Sequence, residues 1–140
     1  MQECIINFGD FDWWGIVVAT IASYAFGAIW YSPLMFGNSW AKLTGQTEEQ
    51  MKKGAATAML VTFITTFLTV LVIEIFIVGL QANFIGQSIL VGILIGLFVV
   101  AGNMLSENLY SGRSLKFWWI TAGYRFIMIL IIAVVLGLWR

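Results

Sequence analysis

The chain has 140 residues, of which 61% are hydrophobic and 10% charged, and its mean hydropathy is +0.94. Seven basic residues balance seven acidic ones and no basic run stands out, which argues against nucleic-acid binding. A water-soluble domain of this composition would expose large apolar patches, so we expect an integral membrane protein with a single domain over residues 1–140.

The N-terminal segment is acidic, with Glu3, Asp10 and Asp12 and no Lys or Arg before the first apolar stretch. A signal peptide begins with basic residues, so we expect the first apolar helix to stay in the mature protein. Cys4 is the single cysteine and has no intramolecular disulfide partner. We interpret it as incidental.

Four apolar stretches are each long enough to cross a bilayer core of roughly 30 Å at about 1.5 Å per residue. The spans are predicted over residues 13–31, 55–80, 84–105 and 117–139. The predicted fold class is therefore all-α, an integral membrane bundle of four transmembrane helices.

Basic residues predict the orientation of this bundle. The loops over residues 32–54 and 106–116 hold Lys42, Lys52, Lys53, Arg113 and Lys116, whereas the opposite side holds Arg140. Basic loops stay cytoplasmic, so both termini are predicted outside. Aromatic side chains favour the interface, and we expect anchors at the outer side (Trp13, Trp14, Trp139) and at the inner side (Trp30, Tyr31, Trp118, Trp119).

The first cytoplasmic loop has helix signals of its own. Thr47 followed by Gln50 is a capping-box pattern and predicts a short helix that leads into the second span. The preceding segment, residues 38–43, is expected to lie in the interface with Trp40 and Leu43 towards lipid.

Small residues recur every four positions on two spans, where they permit close helix packing. They are Gly15, Ala19, Ser23 and Gly27 on the first span, and Ser88, Gly92 and Gly96 on the third. These faces indicate ordinary packing within the chain or, alternatively, an oligomer interface or a substrate path.

Three ionisable residues lie at or near membrane depth: Glu74, Glu107 and Arg125. An unpaired charge there is costly, and helix geometry favours a network of Arg125 with Glu107 and Asn103, acting as a structural clamp or as a gate. Glu74 is expected to be protonated, bonded to a hydroxyl such as that of Tyr24, or paired across an oligomer interface.

Common catalytic parts are missing from the sequence. It contains no histidine, no closely spaced carboxylate pair, no glycine-rich phosphate loop and no metal-ligand spacing. We therefore expect no enzymatic activity, no cofactor and no metal site.

A short repeat, L-x-x-G-x-S, occurs over residues 34–39 and 109–114, each time after a helix that runs from outside to inside. It indicates either a duplication, with two parallel helical hairpins, or shared turn chemistry alone.

The chain resembles the bacterial membrane proteins grouped as domain of unknown function 1761. The likeness covers about residues 15–139 and is carried by Gly27-Ala28-Ile29-Trp30-Tyr31-Ser32-Pro33-Leu34 with Phe36-Gly37, Thr47-Glu48-Glu49, Gly112-Arg113-Ser114-Leu115-Lys116 and Ala122-Gly123-Tyr124. The resemblance implies a four-span protein of the bacterial inner membrane and supplies no activity. In the family pattern a histidine often follows Ala-Gly-Tyr, where this chain has Arg125, so a titrating role at that position does not carry over.

These features favour a non-enzymatic accessory subunit of a membrane complex or a homo-oligomer. The alternative is a small oligomeric transporter or channel for an ion, a proton or a small solute. The expected partners are the lipid bilayer and other copies of the chain or other membrane subunits, with no nucleic acid.

Overall fold

The computed structural model describes residues 8–138, and within that range the chain forms six α-helices after a short 3-10 turn, Phe8–Asp10. Four are long and apolar enough to cross a membrane: α1 (Trp13–Trp30), α4 (Ala55–Gly79), α5 (Ile85–Tyr110) and α6 (Leu115–Leu138). Two short helices, α2 (Gly37–Thr44) and α3 (Glu48–Lys53), connect α1 to α4. The predicted all-α bundle is confirmed. Cys4, Trp139 and Arg140 lie outside the described residues.

Local capping explains where two helices begin. Asp12 precedes α1, and its carboxylate accepts a hydrogen bond from the Gly15 N–H at 3.1 Å. The capping box before α3 is confirmed, because the Thr47 N–H donates to Gln50 Oε1 at 3.0 Å and the Gln50 N–H donates to Thr47 Oγ1 at 3.2 Å.

Helix α5 departs from its predicted limits. It continues to Tyr110, so the predicted loop over residues 106–116 shrinks to the turn between α5 and α6. Hydropathy locates the edge of the apolar segment, whereas the helix itself ends where Gly112 adopts a left-handed φ of 73°. The segment Leu94–Ala101 within α5 is π-helical. At its end, Ala101 O accepts the Trp118 indole N–H at 3.0 Å, which joins α5 to α6.

Helix α6 is the central element of the bundle. In its most apolar 18-residue stretch 50% of the residues are buried, whereas the corresponding share is 28% to 33% in the other three long helices. It packs most extensively on α5 and α1, while α4 packs on α1. The apolar core is therefore built around α6.

The small-residue faces of α1 and α5 pack within the chain. A Cβ at Gly92 would lie 2.7 Å from Cβ of Ala133, and one at Gly96 would lie 2.9 Å from Cδ2 of Phe126, both on α6. Gly15, Ala19, Ser23 and Ser88 are buried as well. Contacts inside the bundle thus occupy the G-x-x-x-G face.

One aromatic prediction is wrong. Trp30 is only 8% exposed, and its indole donates to Ile120 O at 3.0 Å, so it joins α1 to α6 rather than anchoring in the interface. Trp40 is half-buried, and its ring meets that of Tyr31 edge to face, with centroids 5.8 Å apart. Its orientation towards lipid stays a prediction.

The L-x-x-G-x-S repeat takes two different conformations. Gly112 occupies the left-handed turn after α5, and Ser114 Oγ accepts the Phe117 N–H at 3.2 Å at the start of α6. Gly37 instead begins α2, with its Cα against the backbone of Tyr31 and Ser32. The described structure thus gives the repeat no shared local conformation.

Candidate functional site: two cavities that share Arg125

Arg125 lies on α6, ten residues after the helix begins at Leu115. Its side chain is exposed to the cavities around it, and its guanidinium carbon lies 5.3 Å from the centroid of the Tyr124 ring. A guanidinium over an aromatic face gains electrostatic stabilisation. This position puts a guanidinium inside the apolar helix, where a charged group is costly.

A first cavity, here called the polar cavity, has a volume of about 490 Å³ and lies among α2, α5, α6 and the end of α1. Its polar and charged lining includes Tyr31, Glu107, Asn108, Arg113, Thr121 and Arg125. Two guanidinium groups and one carboxylate give this lining a positive balance. The cavity therefore favours a negatively charged occupant.

The turn between α5 and α6 shapes one wall of the polar cavity. The side-chain amide of Asn108, which is buried, donates to the carbonyl oxygens of Arg113 and Ser114, both at 3.1 Å. The Arg113 guanidinium lies 4.6 Å from the centroid of the Phe117 ring. Asn108 was not singled out from sequence, although an Asn just before a Gly-containing turn was a usable signal.

The end of α1 shapes the opposite wall. Ser32 Oγ donates to Ile29 O at 2.6 Å and accepts the Leu34 N–H at 3.3 Å, so this serine holds the turn that contains Pro33. Trp30 packs against Phe36 with the rings tilted and their centroids 4.5 Å apart. The Trp-Tyr-Ser-Pro element therefore positions Tyr31 at the cavity.

A second cavity, here called the aromatic cavity, has a volume of about 370 Å³ and lies among α1, α4 and α6. It is lined by Tyr24, Gly27, Met59, Tyr31, Tyr124 and Arg125, among others. A Cβ at Gly27 would lie 2.6 Å from the Tyr124 hydroxyl oxygen, so glycine gives the phenol its space. Tyr31 and Arg125 line both cavities and form the boundary between them.

The predicted network of Arg125 with Glu107 and Asn103 is not formed as expected. Arg125 and Glu107 line the polar cavity together, but no ion pair joins them within residues 8–138. The Asn103 amide donates to Val99 O of its own helix, within the π-helical segment. A carbonyl four residues back on the same helix thus takes the Asn103 amide.

Glu74 lies outside both cavities and is fully buried on α4. Its Oε1 accepts the Asp12 N–H at 3.0 Å, which ties the start of α1 to α4. The Tyr24 hydroxyl donates instead to Met59 O at 3.3 Å, so the pairing of Tyr24 with Glu74 is wrong. Sequence spacing missed this contact between the Asp12 backbone and the Glu74 carboxylate, because 62 positions separate the two residues.

A family comparison covers nearly the whole chain. Residues 14–137 match the family described as protein of unknown function (DUF1761). The chain belongs to the DUF1761 family. The match to this DUF1761 protein includes every spanning helix that contributes to the two cavities and both sequence elements that shape their walls. Comparisons with curated proteins and with solved structures give no match.

Proposed function

We propose that this DUF1761 protein is a multi-pass protein of the bacterial inner membrane that binds small organic anions and passes them across the bilayer, without enzymatic activity. One observation carries the proposal: Arg125 lines both cavities and forms no ion pair within residues 8–138. An anionic solute would supply the missing negative charge.

Arg125 lies deep enough in its span for an unpaired charge to be costly. Ten residues from the start of α6 correspond to about 15 Å along the helix axis. Moving an arginine to such a depth costs roughly 2.5 to 3.5 kcal/mol on insertion scales, and this cost favours a site that faces water or a counter-ion. The Tyr124 ring offsets part of that cost.

The small-residue faces bear on the choice between transport and assembly. Had the G-x-x-x-G face been free, it would have favoured an accessory subunit, but Gly92 and Gly96 contact α6. The polar cavity and the aromatic cavity instead share Tyr31 and Arg125, and this shared wall would be the place where a solute passes from one cavity to the other. With both basic loops cytoplasmic and both termini outside, the polar cavity opens towards the cytoplasm.

Flux into proteoliposomes tests the proposal. Methanesulfonate is a suitable probe because it stays ionised at every working pH and crosses lipid poorly. Radiolabelled methanesulfonate should enter proteoliposomes of the wild type and of Lys116→Gln, a variant that removes a cation of α6 outside both cavities. Arg125→Gln should lower uptake at least about tenfold, since a charge-assisted contact of about 1.5 kcal/mol is lost. Wild-type uptake equal to that of empty liposomes contradicts the proposal.

Water access to the polar cavity is a separate test. In a chain with Cys4 replaced by serine, Thr121→Cys should react with a charged methanethiosulfonate from the cytoplasmic side. Leu68→Cys, on the exposed apolar face of α4, should not react because lipid covers it. Equal reactivity of the two thiols would argue against a water-filled cavity.

Self-assembly is the second candidate. Asn103 is exposed on a spanning helix between Gly102 and Ser106, which form an exposed small-x-x-x-small pair. Native mass spectrometry of the gently extracted protein should then show a defined homo-oligomer, and Ser106→Leu should dissociate it. A stoichiometric foreign subunit would support the accessory role instead.

A further inference from the structure

We infer that the solute is an organic monoanion with an apolar, aromatic-sized body, which lies in the aromatic cavity while its anionic head contacts Arg125. This inference rests on the proposed function and names the substrate class of the same site.

The lining of the aromatic cavity supports an amphipathic ligand. Arg125 is its one charged lining residue within the described range, and it lies on the side shared with the polar cavity. The remaining wall consists of three phenol rings and small or apolar side chains from α1, α4 and α6. Such a wall solvates an apolar body, while the guanidinium fixes one anionic group by paired N–H donors.

Ring geometry limits what the rest of the wall offers to a ligand. The Tyr24 hydroxyl already donates a hydrogen bond to Met59 O at 3.3 Å and is not available to a ligand as a donor. The rings of Tyr31 and Tyr124 meet edge to face, with centroids 5.2 Å apart. Aromatic faces and edges of this kind favour a further ring as the packing partner.

The cavity volume selects a small ligand. About 370 Å³ falls in the range of small-molecule sites. The positive balance of the polar cavity favours anions before they reach Arg125. A free carboxylate that carries one ring or a short chain meets all of these conditions.

Equilibrium dialysis of the full-length protein in nanodiscs of zwitterionic lipid tests the inference, with 3-phenylpropionate as the probe. Its neutral counterpart, 3-phenylpropan-1-ol, lacks the negative charge and so measures what the anionic head contributes to binding. Acetate lacks the ring and so measures what the apolar body contributes. We expect 3-phenylpropionate to bind at least tenfold more tightly than either analogue. Equal binding of the alcohol would overturn the inference, because the cavity would then be an apolar space that lipid fills.

Variants separate the head from the body. Arg125→Gln should abolish the preference for the acid, whereas Arg125→Lys, which keeps the charge, and Lys116→Gln should retain it. Ala58→Phe fills the aromatic cavity from α4 and should weaken binding of 3-phenylpropionate. If Ala58→Phe leaves binding unchanged, the body lies elsewhere. Methanesulfonate uptake without any binding of 3-phenylpropionate overturns this inference alone, and loss of both overturns the proposed function as well.

Discussion

At the scale of single residues, Arg125 and Glu107 share a cavity without an ion pair among the described residues. Without an ion pair, the coupling left between them is that of two groups in one cavity, which starts at about 0.5 kcal/mol. We therefore expect Arg125→Gln and Glu107→Gln to change the free energy of unfolding additively, within about 0.5 kcal/mol. A double-mutant cycle measured by SDS-induced unfolding, followed by circular dichroism, checks this. A coupling above about 1 kcal/mol would restore the clamp expected from sequence.

Glu74 offers a second test at this scale, because its carboxylate accepts the Asp12 N–H in a fully buried position. Glu74→Gln keeps an acceptor oxygen, whereas Glu74→Leu removes it and leaves that N–H unsatisfied. We expect the leucine variant to be less stable than the glutamine variant by about 1 to 3 kcal/mol. The same unfolding assay measures the difference. Equal losses of stability in the two variants would show that the charge of Glu74, and not its acceptor oxygen, stabilises the fold.

At the scale of the helix pair, α5 and α6 are in contact through Gly92. A Cβ at Gly92 would lie 2.7 Å from that of Ala133, whereas at Gly102, on the same helix, the nearest atom would be Leu97 O at 3.5 Å. Gly92→Ala should therefore destabilise the protein by about 1 to 3 kcal/mol through overpacking. Gly102→Ala should instead be neutral or stabilise by up to about 1 kcal/mol, because alanine has the higher helix propensity. Thermal unfolding in detergent compares the stability of the two variants. Changes in stability of the same sign would contradict the close contact between Gly92 and Ala133.

The same helix pair shows what the sequence can predict. Hydropathy is a property of a whole window, so the four long helices followed from composition, and the capping box before α3 followed from Thr47 and Gln50. The π-helical segment Leu94–Ala101 has no such local signal. The Asn103 amide donates to Val99 O of its own helix, and Ala101 O accepts the Trp118 indole N–H. A polar side chain in a helix can bond to the carbonyl four residues back, and this local bond replaced the predicted contact of Asn103 with Arg125.

At the scale of the whole molecule, α6 connects the two hairpins, because it packs on both α5 and α1. Arg125 lies on this central helix, where residues from α1, α4 and α5 reach one neighbourhood. The residues that line the two cavities are far apart in the sequence, so no local sequence pattern could predict the cavities. The sequence predicted Arg125 itself, because a charge inside a span is costly wherever its partners lie.

The orientation of the bundle decides which side the polar cavity faces. In a chain with Cys4 replaced by serine, Asn83→Cys lies in the turn between α4 and α5 and Gln46→Cys in the loop between α2 and α3, and both native side chains are exposed. An impermeant maleimide should label Asn83→Cys in intact cells and Gln46→Cys only after the membrane is opened, because basic loops stay inside. Labelling of Gln46→Cys in intact cells would show that the bundle has the opposite orientation. The packing would be unchanged, but Arg125 would then be reached from the external solution, and the proposed solute would enter the polar cavity from that side.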